Sequence, residues 1–167
     1  GGGIHISSGT TTLTNSIIGN SLGGGDCVVS GGNVIATYTL IEDSGSDACS
    51  LTSVSGNIIG SDPSLNPLSD NGCVAPSGIP ATAACVLTHE LLPDSPAINT
   101  ASNSECPNDD ERGFIRGDGQ CDMGAFERSA FDPTNTPTIP TLSQWGMLLM
   151  SVILAMIGLL GLRRKLT

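Results

Sequence analysis

Six cysteines are the residues of this chain best suited to covalent chemistry, and they point to disulfide bonds rather than to a metal site. They are Cys27, Cys49, Cys73, Cys85, Cys106 and Cys121. An even count favours disulfides in an oxidising compartment, and no C-x-x-C motif is present to hold zinc. We favour sequential pairing, Cys27 with Cys49, Cys73 with Cys85 and Cys106 with Cys121. Each pair closes a loop of plausible size, which stabilises the fold by ~3 kcal/mol.

Acidic side chains in the first half of the chain are candidates for glycoside hydrolysis, which needs two carboxyl groups facing each other. The candidates are Glu42, Asp43, Asp47 and Asp62. All four follow apolar segments at turn positions, where an acid satisfies local backbone donors. Residues 1–70 contain no Lys or Arg to act as the base of a lyase, and no G-x-S-x-G elbow accompanies His5 or His89. We therefore expect no catalytic residues.

The stretch DDERGFIRGDGQCD offers oxygen ligands for calcium. The ligands would be Asp109, Asp110, Glu111, Asp118 and Asp122. Their spacing does not follow the EF-hand loop. We favour the alternative that Arg112 and Arg116 pair with acids such as Asp122 or Glu127, because arginine binds carboxylates through two parallel hydrogen bonds. No metal ion and no cofactor are expected.

The chain is strongly acidic, with a formal net charge of -10. In front of the C-terminal tail its only basic residues are Arg112, Arg116 and Arg128. Binding to nucleic acid or to anionic lipid needs clustered Lys or Arg. We therefore expect no nucleic-acid partner.

The C-terminal segment predicts a transmembrane helix. Residues 146–162 are uncharged and Arg163, Arg164 and Lys165 follow directly. Roughly 20 apolar residues span the bilayer core, and Trp145 would lie at the opposite interface from the basic cluster, which would stay cytoplasmic. A buried core helix is the alternative, but such a helix normally keeps a polar stripe. The rest of the chain would then lie outside the cytoplasm.

The residues before this segment, IPTLSQW, include Ile139, Pro140, Thr141, Leu142 and Trp145. Together with the apolar run and the terminal arginines, they resemble the IPTL-type C-terminal sorting signals of Gram-negative bacteria. The resemblance implies an exosortase-like membrane transpeptidase as partner, with the protein held in the inner membrane until it is cut near the motif and passed to the cell surface. A permanent anchor is the alternative.

Three similar segments, TLTNSIIGN, VIATYTLIED and SVSGNIIGSD, indicate a repeat in the first half of the chain. Aligned, they form two apolar columns: Leu13, Ala36 and Val54, and Ile17, Leu40 and Ile58. A period of roughly 20 residues lies in the solenoid range, and short strands of this kind cover their apolar faces by stacking in parallel. The pattern predicts an all-β parallel β-helix. An antiparallel sandwich of hairpins is the alternative.

The opening GGGIHISSGTTTLTNSIIGNS resembles the rungs of bacterial right-handed β-helix surface proteins. The blocks DPSLNPLSDNG, THELLPDSPAIN, DERGFIR and CDMGAFE resemble, in order, the choice-of-anchor Q domain that ends such helices. We therefore divide the chain into rungs (1–70), a cap (71–128), a Pro/Thr-rich linker (129–138) and the sorting signal (139–167). Leu87, Leu91, Leu92, Ala97 and Ile98 are candidates to plug the end of the core.

The chain begins at Gly1 without an export signal, and we expect an N-terminal export segment to precede it. The predicted function is that of a non-enzymatic surface or envelope protein with an adhesion or matrix role and a polysaccharide or protein ligand. The alternative is a carbohydrate-active enzyme, a polysaccharide lyase or glycosidase, whose catalytic rungs lie further towards the N-terminus.

Overall fold

Short parallel strands form the first half of the protein. The computed structural model describes residues 2–74, 85–117 and 119–133, together with Val152, Ile153 and Met156. The strands are β1 (Ile4–Ile6), β2 (Thr10–Thr14), β3 (Ile17–Ile18), β4 (Cys27–Val29), β5 (Asn33–Thr37), β6 (Leu40–Ile41) and β7 (Ile58–Ile59). Two 3-10 turns, Gly45–Asp47 and Asn103–Glu105, complete the described elements. The chain divides into two compact units, Gly1–Asn135 and Thr136–Thr167.

The strands pair in three small sheets, β1 with β4, β2 with β5, and β3 with β6 and then β7. Strands β1, β2 and β3 pair with β4, β5 and β6, and each partner residue lies 23 positions further along the chain, as Thr14 and Thr37 illustrate. All of these pairs are parallel, which confirms the predicted stacking and excludes hairpins for these strands. The column of Ile17, Leu40 and Ile58 is confirmed, since these residues face one another across neighbouring strands.

The predicted fold class, a right-handed parallel β-helix followed by one transmembrane helix, is wrong. Among the described residues, the strand stacks are two or three strands deep and do not close into a solenoid. After Ile59 the described chain forms only isolated bridges, such as Leu65 with Leu91. Pro63 and Pro67 lie where a further strand would follow, and proline cannot donate to a ladder. Within the described ranges, the parallel ladder therefore ends at Ile59.

The transmembrane part of that prediction is not supported either. No helix among the described residues is long and apolar enough to cross a membrane. Of the predicted span, 146–162, only Val152, Ile153 and Met156 are described, and these are helical. An apolar composition meets one requirement of a membrane span, but a continuous helix is the other, because lipid offers backbone groups no hydrogen-bond partner.

Two apolar cores lie on opposite faces of β6. Leu40 and Ile41 are both completely buried, and successive residues of a strand point to opposite faces. Ile41 belongs to a core with Ile6, Cys27, Ala48 and Cys49. Leu40 belongs to a second core with Leu91, Ala97, Met123 and Phe126, residues of the irregular second half. Strand β6 therefore joins the strand stack to the part of the chain that packs against it.

Asn15 and Gly124 fix the second half of the chain to the end of β2. The Asn15 amide donates to the carbonyl of Ser102 over 3.0 Å and accepts from its N–H over 2.7 Å, as a neighbouring strand would. The Gly124 N–H donates to the Asn15 carbonyl at 2.8 Å. Gly124 has a φ of +91°, and a Cβ there would lie 2.9 Å from Ile17 Cδ1. Only glycine fits this crossing without strain.

Candidate functional site

All three predicted disulfides are present. Cys27 pairs with Cys49, Cys73 with Cys85 and Cys106 with Cys121, with Cα–Cα distances of 4.9, 5.6 and 6.3 Å respectively. The bond between Cys27 and Cys49 is buried within the first core. The other two lie in the second half of the chain, where few regular strands are available to hold the backbone. The disulfides there replace strand pairing as the link between distant segments.

The turn acids bind backbone amides. Asp26 and Asp43 each accept the other's backbone N–H at 2.9 Å. Glu42 accepts from the N–H of Asn20, and Asp62 accepts from that of Ser64. Only the Asp62 contact is local, as predicted for acids at turns. Glu42 and Asp43 instead bind amides 22 and 17 residues away along the chain.

Two buried ion pairs lie in the segment that had suggested a calcium site. Arg112 bonds Asp110 at 2.6 Å and Arg116 bonds Glu127 at 2.7 Å, and all four side chains are more than nine-tenths buried. The predicted pairing of Arg116 with Glu127 is confirmed. Arg112 pairs instead with Asp110, and Asp122 accepts from the backbone N–H groups of two other residues. In the part of the chain that the structure describes, which leaves out Asp118, no cluster of three or more His, Cys, Asp or Glu could hold a metal ion.

Arg112 lies between two aromatic rings. Its guanidinium carbon is 4.6 Å from the centre of the Phe114 ring and 3.7 Å from that of Phe126. The same guanidinium donates to the carbonyls of Asn71 and Glu127. One side chain therefore joins three separate segments, with charge, hydrogen bonds and cation–π contacts acting together.

Glu127 is completely buried and its pKa is raised above the ordinary value of 4.5. Burial is the largest cause, and the nearby negative charge of Asp122 adds to it. The Asp122 N–H and Arg116, which both bond the Oε2 atom, oppose the increase. Among the described residues, Glu127 Oε1 and Arg116 Nε are buried polar atoms without a hydrogen-bond partner. This arrangement fastens the segment and makes its stability depend on pH.

An open cavity, called the cleft below, lies beside the second core. It has a volume of about 660 Å³, and its floor is formed by Ile17, Leu65, Met123 and Phe126. Leu68, Val86 and Leu87 form an apolar rim and are 53%, 46% and 56% exposed. Asn20, Asn66, His89 and Glu111 add polar groups.

The sequence did not indicate the cleft, because its walls come from five separated segments. Of the residues predicted to plug the core, Leu91 and Ala97 are buried, which confirms their role. The prediction for Leu87 is wrong, since its side chain lies on the rim of the cleft. Three large apolar residues exposed on one rim, beside polar groups, are typical of an interaction surface.

The predicted sorting residues lie outside the described part of the chain. They are Ile139, Pro140, Thr141, Leu142, Trp145, Arg163, Arg164 and Lys165.

Comparison with known protein families identifies the IPTL-CTERM motif at residues 138–164. No curated protein and no solved structure matches the chain significantly. The match confirms the C-terminal sorting signal. It implies that the protein is exported, directed to the cell surface and processed by an exosortase-like system.

Proposed function

We propose that this protein is a non-enzymatic component of the bacterial cell surface, with an adhesion or envelope-matrix role, released to the surface by cleavage at its C-terminal motif. The observation that carries the proposal is the IPTL-CTERM motif at residues 138–164. A protein delivered through this signal displays the part of the chain that precedes the motif.

The folded unit has properties that suit display outside the cell. Three disulfides close loops within it, and each stabilises the fold mainly by restricting the unfolded chain. The buried pairs of Arg112 and Arg116 hold the irregular second half together without many strands. A scaffold braced in this way can present an interaction surface without a large hydrophobic core. We include in this proposal that the second half of the chain is a choice-of-anchor Q-like domain, which its sequence resembles.

The non-enzymatic role rests on the way the acids are used. Asp43 and Asp62 bind backbone amides, and Glu127 is closed off from solvent by its burial. A glycosidase would instead aim two carboxyl groups into an open groove. Among the described residues that line the cleft, Glu111 is the only one with a carboxylate. The cleft therefore offers a surface for binding rather than a pair of acids.

The test is a double substitution in the motif, Pro140→Ala with Thr141→Ala, made in a bacterium that possesses the sorting system. Pro140 fixes its own φ and biases Ile139 towards an extended backbone, the form that processing enzymes generally bind. We expect the wild-type protein at the cell surface and the variant retained inside the envelope, with adhesion to a coated surface reduced as in a deletion strain. A matched control, Thr134→Ala with Thr136→Ala, changes residues before the motif and should be delivered normally.

Normal surface delivery of the motif variant would contradict sorting through this signal. Normal delivery of the wild type with unchanged adhesion in the deletion strain would instead contradict the adhesion role. Hydrolysis of a polysaccharide by the purified chain would contradict the non-enzymatic assignment.

A further inference from the structure

The cleft differs from a packing defect because it opens to solvent and has exposed apolar residues at its entrance. Its floor belongs to the second core, since Met123 is completely buried and Phe126 nearly so. Its rim, by contrast, leaves Leu68, Val86 and Leu87 about half exposed. A volume of about 660 Å³ lies within the range of sites that bind ligands in other proteins, about 300–1,000 Å³. Apolar surface is thus available at the entrance and, below it, on the partly exposed side chains of Ile17 and Leu65.

The surroundings of the cleft are acidic. Glu111 lines it directly. The carboxylates of Glu42 and Glu90 bond two further lining residues, the former through the Asn20 N–H and the latter through the Asn66 amide. No Lys or Arg is found among the described residues that line the cleft. Its one imidazole, His89, has Nδ1 2.8 Å from the Asn66 carbonyl.

We propose that the cleft binds a segment of a partner polypeptide in which an apolar side chain stands next to basic ones. The apolar side chain would leave water for the partly exposed side chains of Ile17 and Leu65. The basic side chains would lie over Glu111 and its acidic neighbours, because complementary charge directs a partner to its site and sets its orientation.

The lining argues against a carbohydrate as the occupant. Sugars bind proteins largely by stacking on an exposed aromatic face and by dense polar contacts. The aromatic ring that lines the cleft, Phe126, is only 6% exposed, and Arg112 already covers one face at 3.7 Å. The floor is otherwise aliphatic.

This inference deepens the proposed adhesion role and rests on it for its biological setting. Its test is separate, because binding is measured with the purified chain and does not depend on delivery to the surface. A failure of sorting would therefore leave the binding result unaffected, and a failure of binding would leave the sorting result unaffected.

The experiment uses the oxidised full chain and dye-labelled tetrapeptides, with fluorescence anisotropy as the readout. LLRR carries both features, LLEE reverses the charge, and SSRR removes the apolar part. We expect LLRR to bind at least about tenfold more tightly than either of the other peptides. LLEE keeps only the apolar contact, and SSRR keeps only the contact between basic side chains and the acidic surroundings of the cleft. Added salt should weaken LLRR binding.

Variants at the rim locate the binding. Leu87→Ser should weaken LLRR binding by about tenfold through lost apolar contact, and Glu111→Gln by about threefold through lost charge. Leu22 and Asp94 lie outside the cleft and are exposed, so Leu22→Ser and Asp94→Asn are the matched controls and should bind as the wild type does.

Equal affinity for the three peptides, or equal loss in Leu87→Ser and Leu22→Ser, would overturn the proposal. Displacement of LLRR by maltoheptaose or cellohexaose at similar concentration would also overturn it, in favour of a carbohydrate site. Unchanged circular dichroism of all four variants is the check that each is folded.

Discussion

Replacing Arg112 by alanine should destabilise the folded unit more than any exposed substitution. The guanidinium is 2.6 Å from the Asp110 carboxylate, and the latter is completely buried. Removing one partner of a buried pair costs about 3–5 kcal/mol, because an uncompensated charge is left behind. The lost contact with the Phe126 ring, 3.7 Å away, adds about 1 kcal/mol.

Part of this cost is offset by the backbone. Asp110 also accepts the N–H groups of Arg112, Phe114 and Glu127 at 2.9, 3.2 and 3.1 Å, and these bonds survive the substitution. We therefore expect a net loss of about 4 kcal/mol, a large share of the roughly 5–15 kcal/mol that holds a typical domain.

Urea unfolding followed by far-ultraviolet circular dichroism, with the disulfides intact, measures this loss. Arg128→Ala is the matched control, since Arg128 is exposed and its guanidinium bond to the Leu91 carbonyl is 3.4 Å long. The control should lose less than about 1 kcal/mol. A loss for Arg112→Ala within about 0.5 kcal/mol of the control would refute the assignment of Arg112 as the central link of this segment.

Three further predictions concern the same unit. Because burial raises the pKa of Glu127 above 4.5, the folded state holds a proton that the unfolded state releases, so stability should fall as pH rises from 4.5 through the raised pKa. Urea midpoints across this window should show the fall for the wild type and a flatter profile for Glu127→Gln; equal slopes would contradict it. Gly124→Ala should lower the free energy of unfolding by about 2–4 kcal/mol, because Gly124 has a positive φ and an added Cβ would clash with Ile17. Gly119→Ala should cost about 1 kcal/mol, because Gly119 also has a positive φ but an added Cβ would meet nothing within 4 Å. Equal losses for the two variants in urea titrations would contradict the predicted clash. Under mild thiol reduction with mass mapping of alkylated peptides, the buried Cys27–Cys49 bond should be reduced last, and its reduction first would show that this core opens readily.

Parts of the strand stack could be predicted from the sequence because the repeat places similar side chains at equal spacing. Ile17 and Leu40 align at the 23-residue spacing and pair as expected. The third repeat is displaced by only 18 residues. Ile58 still pairs with Leu40, but Val54 does not join its column and is exposed. The similar segments thus predicted the register of Ile17, Leu40 and Ile58 but not the end of the ladder after β7, where Pro63 and Pro67 follow.

The cysteine pairing was predictable for another reason, since closing short loops costs little entropy and the three loops follow one another along the chain. The charge cluster was predictable only in part. Asp110 is two residues from Arg112, and its role depends on a turn that folds the two side chains together, which composition does not reveal. The cleft could not be predicted, because Ile17, Leu65, Leu87 and Met123 show no shared pattern along the chain.

The most direct test of surface delivery is the mass of the C-terminal peptide of the protein recovered from the surface of intact cells. Processing at the IPTL-CTERM motif predicts that this peptide ends near residues 139–142, and that Arg163, Arg164 and Lys165 are absent from the mature protein. Recovery of surface protein that still ends at Thr167 would contradict processing at this signal.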